Sequence, residues 1–232
     1  MQASQPPPVA APFNPWRFWF IIGGICALVI AASMASTKLM RSKSASARPL
    51  LRYHQIPPNL EATERSGGPV NIASLNGKVR IFAYIYTICP HGCAAVIGEM
   101  LKLQKQFGQR DDFHQVSISV VPEHDTAATM AAYAEGIGLK PADPWWFLTG
   151  KREPLWQYMT EGLRLEPASP IPEEERLHPL DIYAHDLRVV LVDREGYVRG
   201  YYSIFHPQPE IASLMCERLQ QDTQRLLKNP KL

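Results

Sequence analysis

Acidic side chains are missing from the first 60 residues of this chain, and from Phe18 to Thr37 there is no charge of either sign. The same 60 residues hold six basic groups: Arg17, Lys38, Arg41, Lys43, Arg48 and Arg52. That leaves 18 of the 24 basic residues against all 22 acidic ones in residues 61–232, a net of −4 behind an overall charge of only +2. A nucleic-acid-binding domain would carry its positive charge on the folded part, so a basic stem on an acidic body excludes that class. No internal repeat is visible, and cysteine is scarce, at four. At 46% hydrophobic residues the chain is neither wholly disordered nor a polytopic membrane protein. Its 232 residues have room for one medium domain with extensions.

The uncharged run 18–37 is long enough to cross a bilayer as a helix, at about 1.5 Å per residue over a hydrocarbon core of about 30 Å. Trp16 and Trp19 stand at one end, where amphipathic rings favour the headgroup level. A cleaved signal peptide is the competing reading, because Ser33-Met34-Ala35 resembles a cleavage site. The length of the run and the uncharged, Pro-rich tail before it favour an uncleaved anchor. With no Arg before position 17, that tail does not read as a transit peptide. The expected organisation is a tail (1–17), a transmembrane helix (18–37), a basic, Pro-containing tether (38–60) and a globular domain (61–225). Most of the basic residues follow the span, and loop charge alone would then keep the domain in the cytoplasm.

Within the domain, Val79–Tyr86 is a short, β-rich apolar run, as expected of a central buried strand. Cys93, Val96, Ile97, Met100, Leu101 and Phe107 recur at helical spacing after it, with Pro90 suited to the first helical position. Val116, Ile118 and Val120 alternate as a second strand. Asp125 is the expected N-cap of a helix from Thr126 to about Gly136. Trp145–Leu148 reads as a strand closed by Thr149-Gly150, and Pro154 opens a short helix. Residues 165–180, with four prolines and Glu173–Glu175, read as an exposed loop. Arg188–Val192 and Tyr197–Tyr202 flank a turn with Gly196, and Ile211, Leu214, Met215 and Leu219 line a terminal helix. This order of elements is that of an α/β fold, a thioredoxin-like sandwich with helices on both faces of a central sheet.

Two of the four cysteines, Cys26 in the apolar run and Cys216 on the last helix, read as small buried hydrophobes. Cys89 and Cys93 differ. They stand at the strand-to-helix junction Thr87-Ile88-Cys89-Pro90-His91-Gly92-Cys93, where four-residue spacing puts both side chains on one face. Such a pair makes either a reversible disulfide or a two-thiolate metal clamp, and the helix N-terminus favours thiolate in both cases. A purely structural disulfide would close too short a loop to stabilise much.

The stretch Gly77–Met100, with its Cys-Pro-x-x-Cys (Cys89, Cys93) after an aromatic-rich strand, resembles the SCO/SenC family. The resemblance continues through Pro122–Thr126, Tyr133-Ala134-Glu135 and Phe147–Gly150, then His185 before Val189–Val192, with Asp193 and Gly196 in the turn. It covers about residues 57–219 and the N-terminal anchor. That family comprises membrane-tethered, thioredoxin-fold copper proteins that assist assembly of the binuclear copper centre of cytochrome c oxidase. The resemblance implies a copper ion as cofactor, with Cys89, Cys93 and His185 as metal ligands. Soft thiolates selecting Cu(I) and an imidazole compatible with it agree with this set. Three positions depart from the pattern: His91 replaces an acidic residue, Ala94 replaces a proline, and Val121 replaces an acidic residue before Pro122. His91 is open to a role as an extra ligand or as a tuner of the thiols. The remaining histidines (His54, His114, His124, His178, His206) read as solvated or structural.

The function this implies is a membrane-anchored copper metallochaperone, whose work is transfer rather than turnover. Its partners would be a cytochrome c oxidase copper-centre subunit or another copper acceptor, a thiol reductant, and membrane lipid through the anchor, with no nucleic acid. The alternative is a thiol–disulfide oxidoreductase in which Cys89 attacks and Cys93 resolves, although the usual redox pair has two intervening residues and this one has three. The resemblance puts the domain on the periplasmic, outer side of the cell membrane, against the loop-charge count.

Overall fold

The computed structural model describes residues 15–47 and 49–230, and the chain divides into an N-terminal unit ending at Arg48 and a body from Pro49 to Leu232. Helix α1 (Pro15–Ala47) constitutes the described part of the first unit. Within it, Pro15–Thr37 is long and apolar enough to cross a membrane. The tail of residues 1–14, like Arg48 of the expected tether, lies outside the described residues. Of the stretch 38–60, residues 38–47 continue the helix. Residues 49–60 join the body: Gln55 bridges to Tyr197, Ile56 and Leu60 are buried, and the Arg199 guanidinium donates to the carbonyls of Leu50 and Leu51 at 2.9 and 2.8 Å.

The body is an α/β sandwich. In chain order its elements are β1 (Glu61–Glu64), β2 (Pro69–Asn71), a 3-10 turn (Ile72–Leu75), β3 (Val79–Ile85), α2 (Cys93–Phe107), β4 (Phe113–Ser119), α3 (Ala127–Gly136), β5 (Trp145–Thr149), α4 (Arg152–Gln157) running into a π turn (Tyr158–Gly162), β6 (Ser169–Pro170), a second 3-10 turn (Glu173–Glu175), β7 (Tyr183–Ala184), β8 (Arg188–Val192), β9 (Val198–Ser203) and α5 (Pro209–Lys228). Seven strands form one sheet in the order β2-β1-β5-β4-β3-β8-β9, and β6 pairs with β7 apart from it. Strands β3, β4 and β5 run parallel, joined by the helical crossovers α2 and α3, whereas β1 and β8 are antiparallel to their neighbours.

Strand β3 is buried over all seven residues and paired on both edges, which accounts for a sequence that is apolar apart from the buried Arg80. Its side chains alternate between two cores. Val79, Ile81, Ala83 and Ile85 pack with the buried faces of α2, α3 and α5. Phe82 and Tyr84 pack on the opposite face with Ile72, Leu75, Leu155, Tyr158 and Met159. Each large apolar side chain removed from water contributes about 1.5–3 kcal/mol. The strand that leads into the cysteine turn is therefore held from both faces and both edges.

Two local expectations are corrected. Pro90 is not in the first turn of α2, which starts at Cys93 with Gly92 before it. Residues 86–92 instead form a loop in which the Cys89 N–H donates to the Tyr86 carbonyl at 3.0 Å. Thr126, not Asp125, caps α3, its Oγ1 accepting from the Thr129 N–H at 3.2 Å. Asp125 is fully buried and serves the cysteine loop. Its carboxylate accepts from Thr87 Oγ1 at 2.6 Å and from Ser119 Oγ at 2.8 Å. The terminal helix buries Leu219, Leu226 and Leu227, while Leu214, expected on that face, is exposed.

Candidate metal centre

The cysteine loop hangs from the end of β3, and the segment before β8, which pairs with β3, returns beside it. This adjacency of antiparallel strands brings His185 to Cys89 and Cys93 across more than 90 residues of sequence. The His185 Nε2 lies 3.2 Å from the Cys93 sulfur and 3.9 Å from the Cys89 sulfur. All three ligand atoms lie within 4.8 Å of one another, the one such set of three among the described residues. A single ion at bond lengths of about 2.0–2.3 Å can reach every member. Both cysteines are free thiols, Cys93 buried and Cys89 half-buried.

The imidazole is oriented by its own chain. His185 Nδ1 lies 3.0 Å from the Asp186 carbonyl, which only accepts, so Nδ1 carries the proton and Nε2 turns its lone pair to the sulfurs. The ring also meets the edge of Tyr84 at 5.7 Å between centroids. Asp186 fixes that peptide: its carboxylate accepts the N–H groups of Glu166 at 2.9 Å and Arg188 at 2.8 Å, and pairs with the Arg188 guanidinium. Burial works against this carboxylate's charge, but Arg188 and the two N–H groups win and hold its pKa below the ordinary value.

The two thiols divide one proton unequally. Cys89 is pulled down to about 4 because the Cys93 S–H donates to it; burial opposes this, and the N–H groups of Cys93 and His91 reinforce it. Cys93 is pushed up, since its proton serves Cys89, its site is buried, and a second negative charge beside Cys89 is unfavourable. The metal-free pair is thus a thiolate at Cys89 beside a thiol at Cys93.

His91, between the cysteines in sequence, does not join them in space. Its Nε2 donates to the carboxylate of Asp181, 3.1 Å from each oxygen, and Asp181 is fully buried. His178 donates from Nε2 to the Ile88 carbonyl at 3.0 Å, and the Tyr86 hydroxyl donates to the Leu180 carbonyl. The sequence leaves His91 open as an extra ligand or a tuner of the thiols, and nothing in it marks Asp181. Elsewhere, His54 bonds the Gly162 carbonyl, His124 meets Asp125, His206 accepts from the Gln208 N–H, and His114 is a core residue. Cys26 lies on α1 within the apolar span, and Cys216 is half-buried on α5. Of the departures, Val121 is buried in the core behind the site, and Ala94 is exposed beside it.

The SCO1/SenC family model matches residues 52–220. A protein of Stutzerimonas stutzeri named as copper-binding is 29% identical over 162 residues, 66% of this chain and 71% of that one. Among solved structures, a SCO1/SenC family lipoprotein from Bacillus anthracis aligns with a TM-score of 0.62 at 24% identity, over 76% of this chain and 97% of its own. ScoI of Bradyrhizobium japonicum, solved with copper bound, aligns with a TM-score of 0.54 at 24% identity, over 75% and 99%. At that identity the two structures establish the thioredoxin-like fold.

Proposed function

The chain belongs to the SCO1/SenC family, and from that premise we propose that it is a membrane-anchored copper metallochaperone acting in maturation of the cytochrome c oxidase copper centre. Cys89, Cys93 and His185 hold Cu(I) as its cargo. The observation that carries this reading is the convergence of one imidazole lone pair on two free sulfurs, at 3.2 and 3.9 Å. Two soft sulfurs and one nitrogen, with no carboxylate in the set, favour Cu(I) over hard cations. A structural zinc site would call for a fourth protein ligand. Starting from the thiolate–thiol pair, binding Cu(I) releases the Cys93 proton and leaves a two-sulfur, one-nitrogen site. An acceptor richer in thiolates takes the ion by ligand exchange. If the pair is oxidised to a disulfide, a thiol reductant supplies two electrons and two protons to restore the carrier.

Helix α1 anchors this body, with the site on the outer side of the cell membrane where such copper centres are assembled. The apolar length of Pro15–Thr37 supports the anchor. A periplasm-dependent reporter is expected to be active when fused after the C-terminus; activity only when it is fused before Trp16 would reverse the orientation.

The central test is titration of the reduced full chain, in lipid nanodiscs, with Cu(I) against a competing chelator. Binding of one equivalent, weakened in His185→Ala, supports the reading; retention of no copper against a moderate chelator defeats it. A second reading, a thiol–disulfide oxidoreductase, is favoured by the low pKa of the half-buried Cys89. It predicts disulfide-reductase turnover that Cys89→Ser abolishes, and it is dropped if Cys89→Ser matches the wild type.

A further inference from the structure

If the site holds copper, as proposed above, its third ligand must be kept in position over the two thiols. His185 comes from a segment, residues 177–185, that has only a two-residue strand of its own, β7, paired with β6 outside the main sheet. Three side-chain bonds join this segment to the cysteine loop: His91 to Asp181, His178 to the Ile88 carbonyl, and Tyr86 to the Leu180 carbonyl. Asp181 is the hub of the segment's own turn. Its carboxylate also accepts the Leu177 N–H at 3.0 Å, and its N–H donates to the His178 carbonyl at 2.9 Å. His178 accepts the Leu180 N–H on Nδ1, which leaves its Nε2 as the donor to Ile88.

We infer that His91 is a positioning residue: with Asp181 it clasps the His185 segment to the cysteine loop and so holds the third ligand over the two thiols, without itself touching the ion. The geometry separates this from a ligand role. The His91 Nε2 is committed to both oxygens of a buried carboxylate, and His91 is absent from the set whose ligand atoms converge. Removing the imidazole would leave the Asp181 carboxylate buried with the Leu177 N–H as its one hydrogen-bond donor among the described residues, and a buried charge without its partner destabilises the arrangement around it. The turn that carries His185 would then loosen, while the strand β3 and helix α2 that flank the cysteine loop would stay packed.

The test compares His91→Leu, which deletes the donor, with His91→Gln, whose side-chain amide N–H can replace it, in the full chain in nanodiscs. Two measurements are made. Without metal, hydrogen exchange at the amides of residues 177–185 is expected to speed up about tenfold or more in His91→Leu and to stay near wild type in His91→Gln, with α2 unchanged in both. With Cu(I) as probe, His91→Leu is expected to bind about tenfold more weakly and to lose the copper–nitrogen signature in X-ray absorption, and His91→Gln to retain both. Because His91 acts through His185, the double variant His91→Leu/His185→Ala should bind no more weakly than His185→Ala alone. Additive losses would make His91 an independent ligand and overturn the inference, as would unchanged exchange in His91→Leu. Should the wild type bind no Cu(I), the copper reading falls, and the metal-free exchange still decides the clasp.

Discussion

His185 donates its Nδ1–H to the carbonyl of Asp186 at 3.0 Å, and Asp186 in turn is held by Arg188 and two backbone N–H groups. The peptide that orients the imidazole is therefore fixed by a carboxylate that touches neither sulfur. Partners of this kind, one shell out from a ligand, usually carry about 10–100-fold in metal affinity. We predict that Asp186→Ala lowers Cu(I) affinity by about that range while leaving both thiols titratable, and that Asp186→Asn loses less. Competition against a Cu(I) chelator measures it. Wild-type affinity in Asp186→Ala would show that His185 needs no such support.

The unequal sharing of one proton by the thiols gives a pH dependence. A free thiol reacts through its thiolate, so its alkylation slows about tenfold for each pH unit below its ordinary pKa of about 8.5. Cys89, held down to about 4, stays thiolate throughout that window. Iodoacetamide labelling of the reduced, metal-free protein is predicted to mark Cys89 at nearly the same rate from pH 8 to pH 5.5, with buried Cys93 protected. Mass spectrometry assigns the site. A tenfold fall per pH unit at Cys89 would mean that the Cys93 S–H does not stabilise its thiolate.

Cys89 and Cys93 were legible because local sequence order, a buried strand and then an apolar helical period, already puts them at one junction. Details of that junction were not. Pro90 suits a first helical turn by its own geometry, yet α2 waits until Cys93, after a loop pinned by Asp125 through Thr87. Asp125 and Thr126 are both acceptable caps, and burial, which sequence does not display, assigns them different work. His185 needed a family pattern to be singled out from seven histidines, because a strand pairing and not a spacing brings it to the thiols. Asp181 was beyond reach for the same reason: its partner His91 is 90 residues away, and either one alone looks like a loop residue. The stretch 49–60 reads as tether from its three prolines, but Ile56 and Leu60 find the core and Arg199 holds the carbonyls of Leu50 and Leu51.

Gly92 fits where a larger residue would not. Its backbone is ordinary, with φ −100, so the constraint is purely steric. A Cβ there would lie 2.4 Å from Leu187 Cδ1 and 2.8 Å from the Phe205 ring. Overpacking a core costs about 1–3 kcal/mol, and here, against the tip of Leu187 and the half-exposed Phe205 ring, the cost falls at the low end of that range. Gly92→Ala is predicted to destabilise the protein within that range and to weaken Cu(I) binding, since Leu187 lies two residues from His185. Shortening both obstacles, in Gly92→Ala/Leu187→Ala/Phe205→Ala, should restore the copper site at a further cost in stability. Denaturant unfolding and copper competition, run together, check both halves; a triple variant no better at holding copper than Gly92→Ala would locate the defect elsewhere.

The last prediction concerns acid stability and lies away from the thiols. His114 on β4 is 6% exposed, and neither ring nitrogen has a hydrogen-bond partner among the described residues. Burial lowers its pKa from 6.5 to about 3, and Lys78 and Arg65 push the same way. Between those two values the unfolded chain binds a proton that the folded one refuses. Stability is accordingly whole above about pH 6.5 and falls as the pH drops toward 3, by at most about 1.4 kcal/mol for each unit. The Trp146 ring, 4.8 Å away, leaves the imidazole in an aromatic setting, so His114→Phe keeps most of the packing while removing the proton site. Its unfolding midpoint in urea, followed from pH 7 to pH 4, is predicted to fall less steeply than that of the wild type. Parallel curves for the two proteins would mean that His114 takes up its proton in the folded state as readily as in the unfolded one.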